Sequence, residues 1–528
     1  MVDTAIFWVA TIAYMAATFL LAWYGYRRTK TKEDYLLGGR AVKPWIIGLS
    51  YGATFISTSA IVGFGGTAAK LGMGLIWLTV LTIGVGVLIA FIVFGHPTRR
   101  LGQKLGALTF PDLMGKRFNS RFIRYAMGVL ILIMMPLYAS AVIIGGAQFI
   151  NVTLNVNYQL ALLGFAILTA AYVLRGGLLA VMYTDAFQGA VMVVGMSAVL
   201  IITYVSLGGI DTANLSLTNM SNLVPAGLAG KGMTGWTSMP TFGSEIWLTL
   251  ITTIVMGVGV GVLAQPQLVV RFMTAKDSNV LDRAVPTGGL FIALMTGVAF
   301  TVGALTNVYF YKNYGMISTA YVPNVDQIIP KYINMAMPDV VIVIFMLTLL
   351  AAAMSTLSSI FHTMGSAAGH DLWYEWRKNK AKVAPTATSS MRASQWGMVI
   401  MIVASVSLAF LMPGDIIART TAMFMGICAS AFLPMFAYGL FSKKPYALAA
   451  QLSLVVGAAT WFIWTVFFHA AESAVLGICK FFFGVTALLP APWTVVDPLI
   501  LAMPAAVIAL GVGIIIARAK GMPAGDPA

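Results

Sequence analysis

Charge is what this chain lacks most. Asp, Glu, Lys and Arg make up only 9% of its 528 residues, far below the roughly 25% of a soluble domain, which excludes an ordinary soluble protein. Cysteine is nearly absent. Cys428 and Cys479 lie far apart in apolar sequence and match no metal or redox spacing. Of the four histidines, His96 and His370 sit at the ends of apolar runs, His469 follows the run Trp461 to Phe468, and His362 reads as a packed histidine. There is no Gly-x-x-x-x-Gly-Lys-[ST] loop, no metal cluster and no catalytic triad, so neither a nucleotide-driven pump nor an enzyme is expected.

What is present is apolar surface. Hydrophobic residues make up 59% of the chain, and the mean hydropathy is +0.89. Many runs approach the roughly 20 residues that cross a bilayer, so the expectation is one polytopic membrane domain. The first run, Ala5 to Tyr24, follows Asp3 and precedes Arg27 and Arg28, a charge order wrong for a cleavable signal peptide. Thirteen spans are predicted, near 5–25, 45–67, 72–95, 122–150, 158–174, 180–206, 245–268, 286–310, 338–368, 396–412, 417–440, 446–468 and 497–517. The stretch Ala474 to Leu489 reads as interfacial or re-entrant, and the tail from Gly521 as disordered.

The net charge of +15 is explained by where the cations fall. With the N-terminus outside and the C-terminus in the cytoplasm, only Lys70, Lys231, Lys312, Lys331, Arg419 and Lys480 of the 32 basic residues lie outside. Arg271, Lys276 and Arg283 fall in one cytoplasmic loop, and Arg175 in another. This asymmetry fits a multi-pass protein of the plasma or inner membrane and needs no nucleic acid. The long outer connections, Gly208 to Ser244 and Lys312 to Pro338, read as lids or as solvated loops, the second being favoured.

Two spans carry the marks of interrupted helices. The second has Gly48, Gly52, Gly63, Gly65 and Gly66 around Thr54, Ser57, Thr58 and Ser59; the seventh has Gly257, Gly259 and Gly261 before Gln265, Pro266 and Gln267. They occupy equivalent places in two five-span blocks, the pattern of an inverted-repeat transporter with its site at mid-membrane. Ala53 and Ile56 lie about 12 to 17 Å along a hydrocarbon core of about 30 Å. The ninth span reaches a similar depth at AAMSTLSS, Ala352 to Ser359. Small and hydroxyl residues also serve helix packing. Carbonyls freed between Ala53 and Ile56, with the Ala352 carbonyl and the Ser355 and Thr356 hydroxyls, would form an all-oxygen cage suited to Na⁺. Asp185 is the one carboxylate inside a span; at the depth of Ser358 and Ser359 it would complete a second cation site, carry a proton, or snorkel to Arg175.

DYLLGGR (Asp34 to Arg40), ALTFPDLMGKRF (Ala107 to Phe118), YVLRGGLLAVMYTDAFQG (Tyr172 to Gly189), AQPQLVVRFMTAKD (Ala264 to Asp277) and AAAMSTLSSIF (Ala351 to Phe361) occur in the order found in the sodium/solute symporters. The chain resembles that family from about Thr31 to Phe441. The resemblance implies an all-α polytopic membrane protein with a LeuT-type five-plus-five inverted-repeat core. Residues 45–441 would form the core, 1–44 an added first span and loop, and 442–528 further spans and a short tail. It implies Na⁺ at Ala53, Ile56, Ala352, Ser355 and Thr356, and in some relatives a second Na⁺ at Asp185, Ser355, Ser358 and Ser359.

Proline symporters of the family carry an acidic residue where this chain has Phe55, and aromatics where it has Val258 and Val262. No carboxylate in the second span awaits a substrate ammonium. Ser57, Thr58, Ser59, Tyr138, Gln265 and Gln267 offer hydrogen bonds to a carboxylate or amide. The expectation is a sodium-coupled importer of a small polar organic solute, leaning to a monocarboxylate or related anion and working by alternating access within membrane lipid. The alternatives are an amino acid or pantothenate symporter, or a transporter-like sensor.

Overall fold

The helix that starts at Pro44 stops at Phe55. In the computed structural model, which describes residues 4–173, 177–381, 386–413 and 416–524, Ile56 takes an extended conformation after its N–H closes the last turn on Gly52. The helix resumes at Ser59 and runs to Leu71. The second interruption lies at Gln265, also extended, between the helix from Glu245 and a new one, Pro266–Met273. Pro266 has no N–H to offer a preceding turn, which is why the restart falls there. Both breaks predicted from Gly and Pro content are present.

No strand occurs among the described residues. Among the described residues, eleven helices are long and apolar enough to cross a membrane. The difference from thirteen has two physical causes. The break at Ile56 leaves Pro44–Phe55 too short to qualify alone, and the half after the break runs on through a corner at Gly72 into one continuous stretch, Ser59–Lys104. The helix at Tyr158–Val173 is only 16 residues long.

Burial separates centre from periphery. Asp339–Lys380 and Ile417–Phe441 are 83% buried over their apolar windows, against 22% for Ile6–Arg28 and 28% for Leu499–Ala519. The first and last helices therefore flank a core. Within it, Asp339–Ser366 packs along Gly177–Ser206, and Ser278–Tyr314 packs along both halves of the broken helix. The second contact requires glycine: a Cβ on Gly303 would lie 2.2 Å from the Gly65 carbonyl oxygen. Gly303→Ala is expected to lower stability by about 1–3 kcal/mol through overpacking, read as a reduced melting temperature in detergent.

The basic loops converge on one face. Arg40 donates to the carbonyls of Gly102 and Ala107, Arg99 to that of Lys276, and Arg117 to those of Gly439 and Ser442. Lys32 sits 3.8 Å over the Tyr374 ring. On this face, burial favours the neutral form of Asp112, but the His370 hydrogen bond and the Arg124 and Lys116 charges outweigh it and hold the carboxyl well below its usual range.

The opposite face corrects an expectation. The connections read as solvated loops contain short helices: Ile210–Asn219 packs over a small apolar cluster, and Ile328–Ala336 packs into the main core. Trp236 is buried there; its indole N–H donates to Ala69, and its carbonyl accepts from the Met73 N–H at 2.6 Å. Residues 470–483 form two helices of seven and six residues, too short to cross a bilayer.

Candidate functional site

At the first break, the ninth-span helix faces the interrupted one. Ser355 Oγ donates to the Ala53 carbonyl at 2.8 Å and lies 3.1 Å from that of Ala352. Thr356 Oγ1 donates to the Thr54 carbonyl at 3.0 Å. Ala53, Ile56, Ala352, Ser355 and Thr356 are all fully buried. The Ala53 and Thr54 carbonyls are available because the turn that would have consumed them is absent, and the hydroxyls reach them because Ser355 and Thr356 sit on the face turned to the break. The groups brought together, the Ser355 and Thr356 hydroxyls with the Ala53, Thr54 and Ala352 carbonyls, are oxygen only, the chemistry of a small hard cation. Each hydroxyl now spends its proton on a carbonyl; with a cation between them, its lone pairs turn to the ion instead.

One turn towards the basic face lies Asp185, buried, with Ser358 at 3.4 Å and Ser359 at 3.5 Å. Ser355 turns its hydroxyl to the Ala53 and Ala352 backbone oxygens instead of this carboxylate. Two further hydroxyls complete the group, Ser50 at 2.8 Å and Thr54 at 3.2 Å. The positive charge among them is Arg271, whose Nη2 meets Asp185 at 2.8 Å and Ser359 at 2.6 Å, and also Thr54, while its Nε donates to Ser50 at 2.9 Å.

Arg271 is a correction to the sequence reading, which placed it in a cytoplasmic loop. It is fully buried, because the helix restarting at Pro266 carries it inward and its Nη1 bonds to the Gln267 carbonyl one turn earlier. An Arg between Val269–Val270 and Phe272–Met273 was the available signal. Arg175, the other partner considered for Asp185, lies outside the described residues.

The candidate solute residues divide. Phe55, Ser57 and Tyr138 line a central cavity of about 20 Å³ together with Val258, Thr421 and Met425. That is room for about one water molecule, so the site is closed around its own side chains. Thr58 is turned away to the Val142 carbonyl, and the Ser59 hydroxyl is buried with no hydrogen-bond partner among the described residues. Gln265 bonds to the Met425 sulfur and accepts from Gln267, which itself lines a second small cavity nearer the basic face. Tyr138 stacks on Phe424 at 5.3 Å, with its hydroxyl 3.4 Å from Ser57. Tyr138→Phe keeps the stack, so an increase in KM for the solute of about threefold to tenfold is expected, matching one hydrogen bond of about 0.5–1.5 kcal/mol, with an unchanged melting temperature.

The sequence model of the Sodium:solute symporter family matches residues 35–457. A sodium/pantothenate symporter of Haemophilus influenzae is 27% identical over 488 residues, covering 90% of this chain and 94% of that protein. The osmoregulated proline transporter OpuE of Bacillus subtilis is 26% identical, covering 85% and 87%. The sodium/proline symporter of Escherichia coli K12 is 25% identical, covering 87% and 88%. Among solved structures, a substrate-bound, outward-open Na⁺-coupled sialic acid symporter superposes with a TM-score of 0.74 at 18% identity over 99% of each chain, which establishes the fold. With two broken helices around an oxygen-lined centre and a family match over most of its length, the chain belongs to the sodium:solute symporter family, transporters of LeuT-type fold coupled to Na⁺ and not enzymes.

Proposed function

We propose that the chain imports a small organic anion, a monocarboxylate or a relative such as pantothenate, together with Na⁺. The observation that carries this reading is the central cavity. Its lining combines the Ser57, Tyr138, Thr296 and Thr421 hydroxyls with apolar side chains and includes no charged group. A substrate ammonium would find no carboxylate there, while hydroxyls donate well to a carboxylate. Ala53, Ile56, Ala352, Ser355 and Thr356 hold the sodium, and the ten-helix core spans 45–441. In this conformation Arg271 supplies the cation in the second set, Asp185, Ser358 and Ser359, so that set takes Na⁺ only when the guanidinium leaves. The convergence of the basic loops supports an N-terminus outside and a C-terminus in the cytoplasm.

Purified protein in liposomes, given an inward Na⁺ gradient and a panel of labelled monocarboxylates, pantothenate, proline and glucose, tests this. An organic anion is expected to be taken up fastest, with uptake lost when choline replaces Na⁺. Proline or glucose outpacing every anion would overturn the anion reading.

A further inference from the structure

On the face opposite the basic loops lies a cavity of about 510 Å³, and it stands over the central one. The helices show the stacking. Thr67 and Leu71 line the large cavity and Phe64 the central one; Ile254 and Val258 divide likewise, as do Ala418 with Ala422 against Thr421 with Met425. Phe64 and Thr67, Val258 and Ile254, Thr421 and Ala418, and Met425 and Ala422 each lie about one turn apart, roughly 5 Å along a helix, and Leu71 lies one turn beyond Thr67. The outer cavity thus shares the walls that would have to part for a solute to reach Ser57 and Tyr138.

Its charges are uneven. Lys70, Lys231 and Arg419 line it, half of the six basic residues that the distribution of charge along the sequence places outside. The one carboxylate in the lining, Glu472, is buried against His469. Glu245 meets Lys231 at 3.2 Å, and both are partly exposed, so this pair is only loosely neutralised. The remaining walls are mainly apolar, with Ala470, Ala471 and Val495 supplied from the segment after the core. A sphere of this volume has a radius of about 5 Å, shorter than the screening length of about 8 Å at physiological salt. The cations therefore act together across its interior, and low-dielectric walls focus their field.

We infer that this cavity is an entry vestibule that concentrates small organic anions above the central site, with Lys70, Lys231 and Arg419 setting its charge preference. The inference rests on the anion reading above and extends it from the solute's pocket to its route.

A probe that is not the solute separates the two. Thr249→Cys puts a thiol on the vestibule wall, while the native Cys428 and Cys479 are buried and the unmodified protein gives the background. Ala422→Cys serves if that variant does not fold. The rates of modification by sulfonatoethyl and trimethylammonioethyl methanethiosulfonate are compared, each divided by its rate with a small free thiol. The anionic reagent is expected to be favoured about fivefold or more, and Lys70→Gln with Arg419→Gln to erase most of that preference, as does 1 M choline chloride. Lys70→Arg with Arg419→Lys keeps it. A ratio at or below that of the free thiol, a ratio indifferent to the glutamine pair, or no labelling by either reagent overturns the vestibule. If the vestibule prefers anions yet proline is the solute taken up, the vestibule stands and the anion reading of the central site falls.

Discussion

Arg271→Ala is expected to abolish uptake and to cost about 3–5 kcal/mol of stability, the range for removing one member of a buried ion pair. The loss is large because the guanidinium is the only cation within bonding distance of Asp185 among the described residues, and it also bonds Ser50, Thr54 and Ser359. Without it, a carboxylate remains in a dry interior with only hydroxyls to stabilise it. Arg271→Ala with Asp185→Asn removes both charges, so it should recover at least half of the lost melting temperature while transport stays abolished. The bare pocket of Arg271→Ala also has a specific chemistry, a carboxylate ringed by four hydroxyls, which is a site for a small hard cation. Added Na⁺ should therefore raise the melting temperature of Arg271→Ala more than that of the unaltered protein. A single variant that melts normally would show that the pair does not bear on stability.

How far the site was legible follows from the kind of signal each residue gives. The interruptions at Ile56 and Gln265 were written locally, in glycines and in Pro266, because unwinding depends on what a short segment can and cannot hydrogen-bond. The hydroxyl run Ser355 to Ser359 was legible for the same reason, being polarity where a buried helix normally has none. Arg271 was not, since its partner is 86 residues earlier in the chain and a tally of charges by loop assigns any Arg near the end of an apolar run to water. The covering segment at Trp236 escaped for a related reason: Gly, Ser and Thr suggest solvent, and only the contact with Ala69 and Met73 reveals burial. The anion vestibule lay between these cases. The outer cations could be counted, but that Lys70, Lys231 and Arg419 meet around one cavity is a fact of tertiary structure.

The sodium dependence of uptake decides between the two roles the hydroxyl run was open to from the start. If Ser355 and Thr356 only let helices approach, Ser355→Ala and Thr356→Ala remove a small polar atom from a tight interface and change stability by about 1 kcal/mol, with the Na⁺ response untouched. If they are ligands, each removes one of five oxygens from a cation that cannot recruit water in a fully buried site. A bond to a charged group contributes about 1.5–3 kcal/mol, so each single variant should raise the half-saturating Na⁺ concentration by roughly ten- to a hundredfold, and the pair should leave uptake unsaturated. Thr356→Ser supplies the control, since it keeps the oxygen 3.0 Å from the Thr54 carbonyl and discards only the methyl. It should behave nearly as the unaltered protein if the oxygen matters, and like Thr356→Ala if the methyl's packing does. An unshifted Na⁺ curve in both alanine variants, with transport otherwise intact, would move the sodium site away from this break and leave the run as packing.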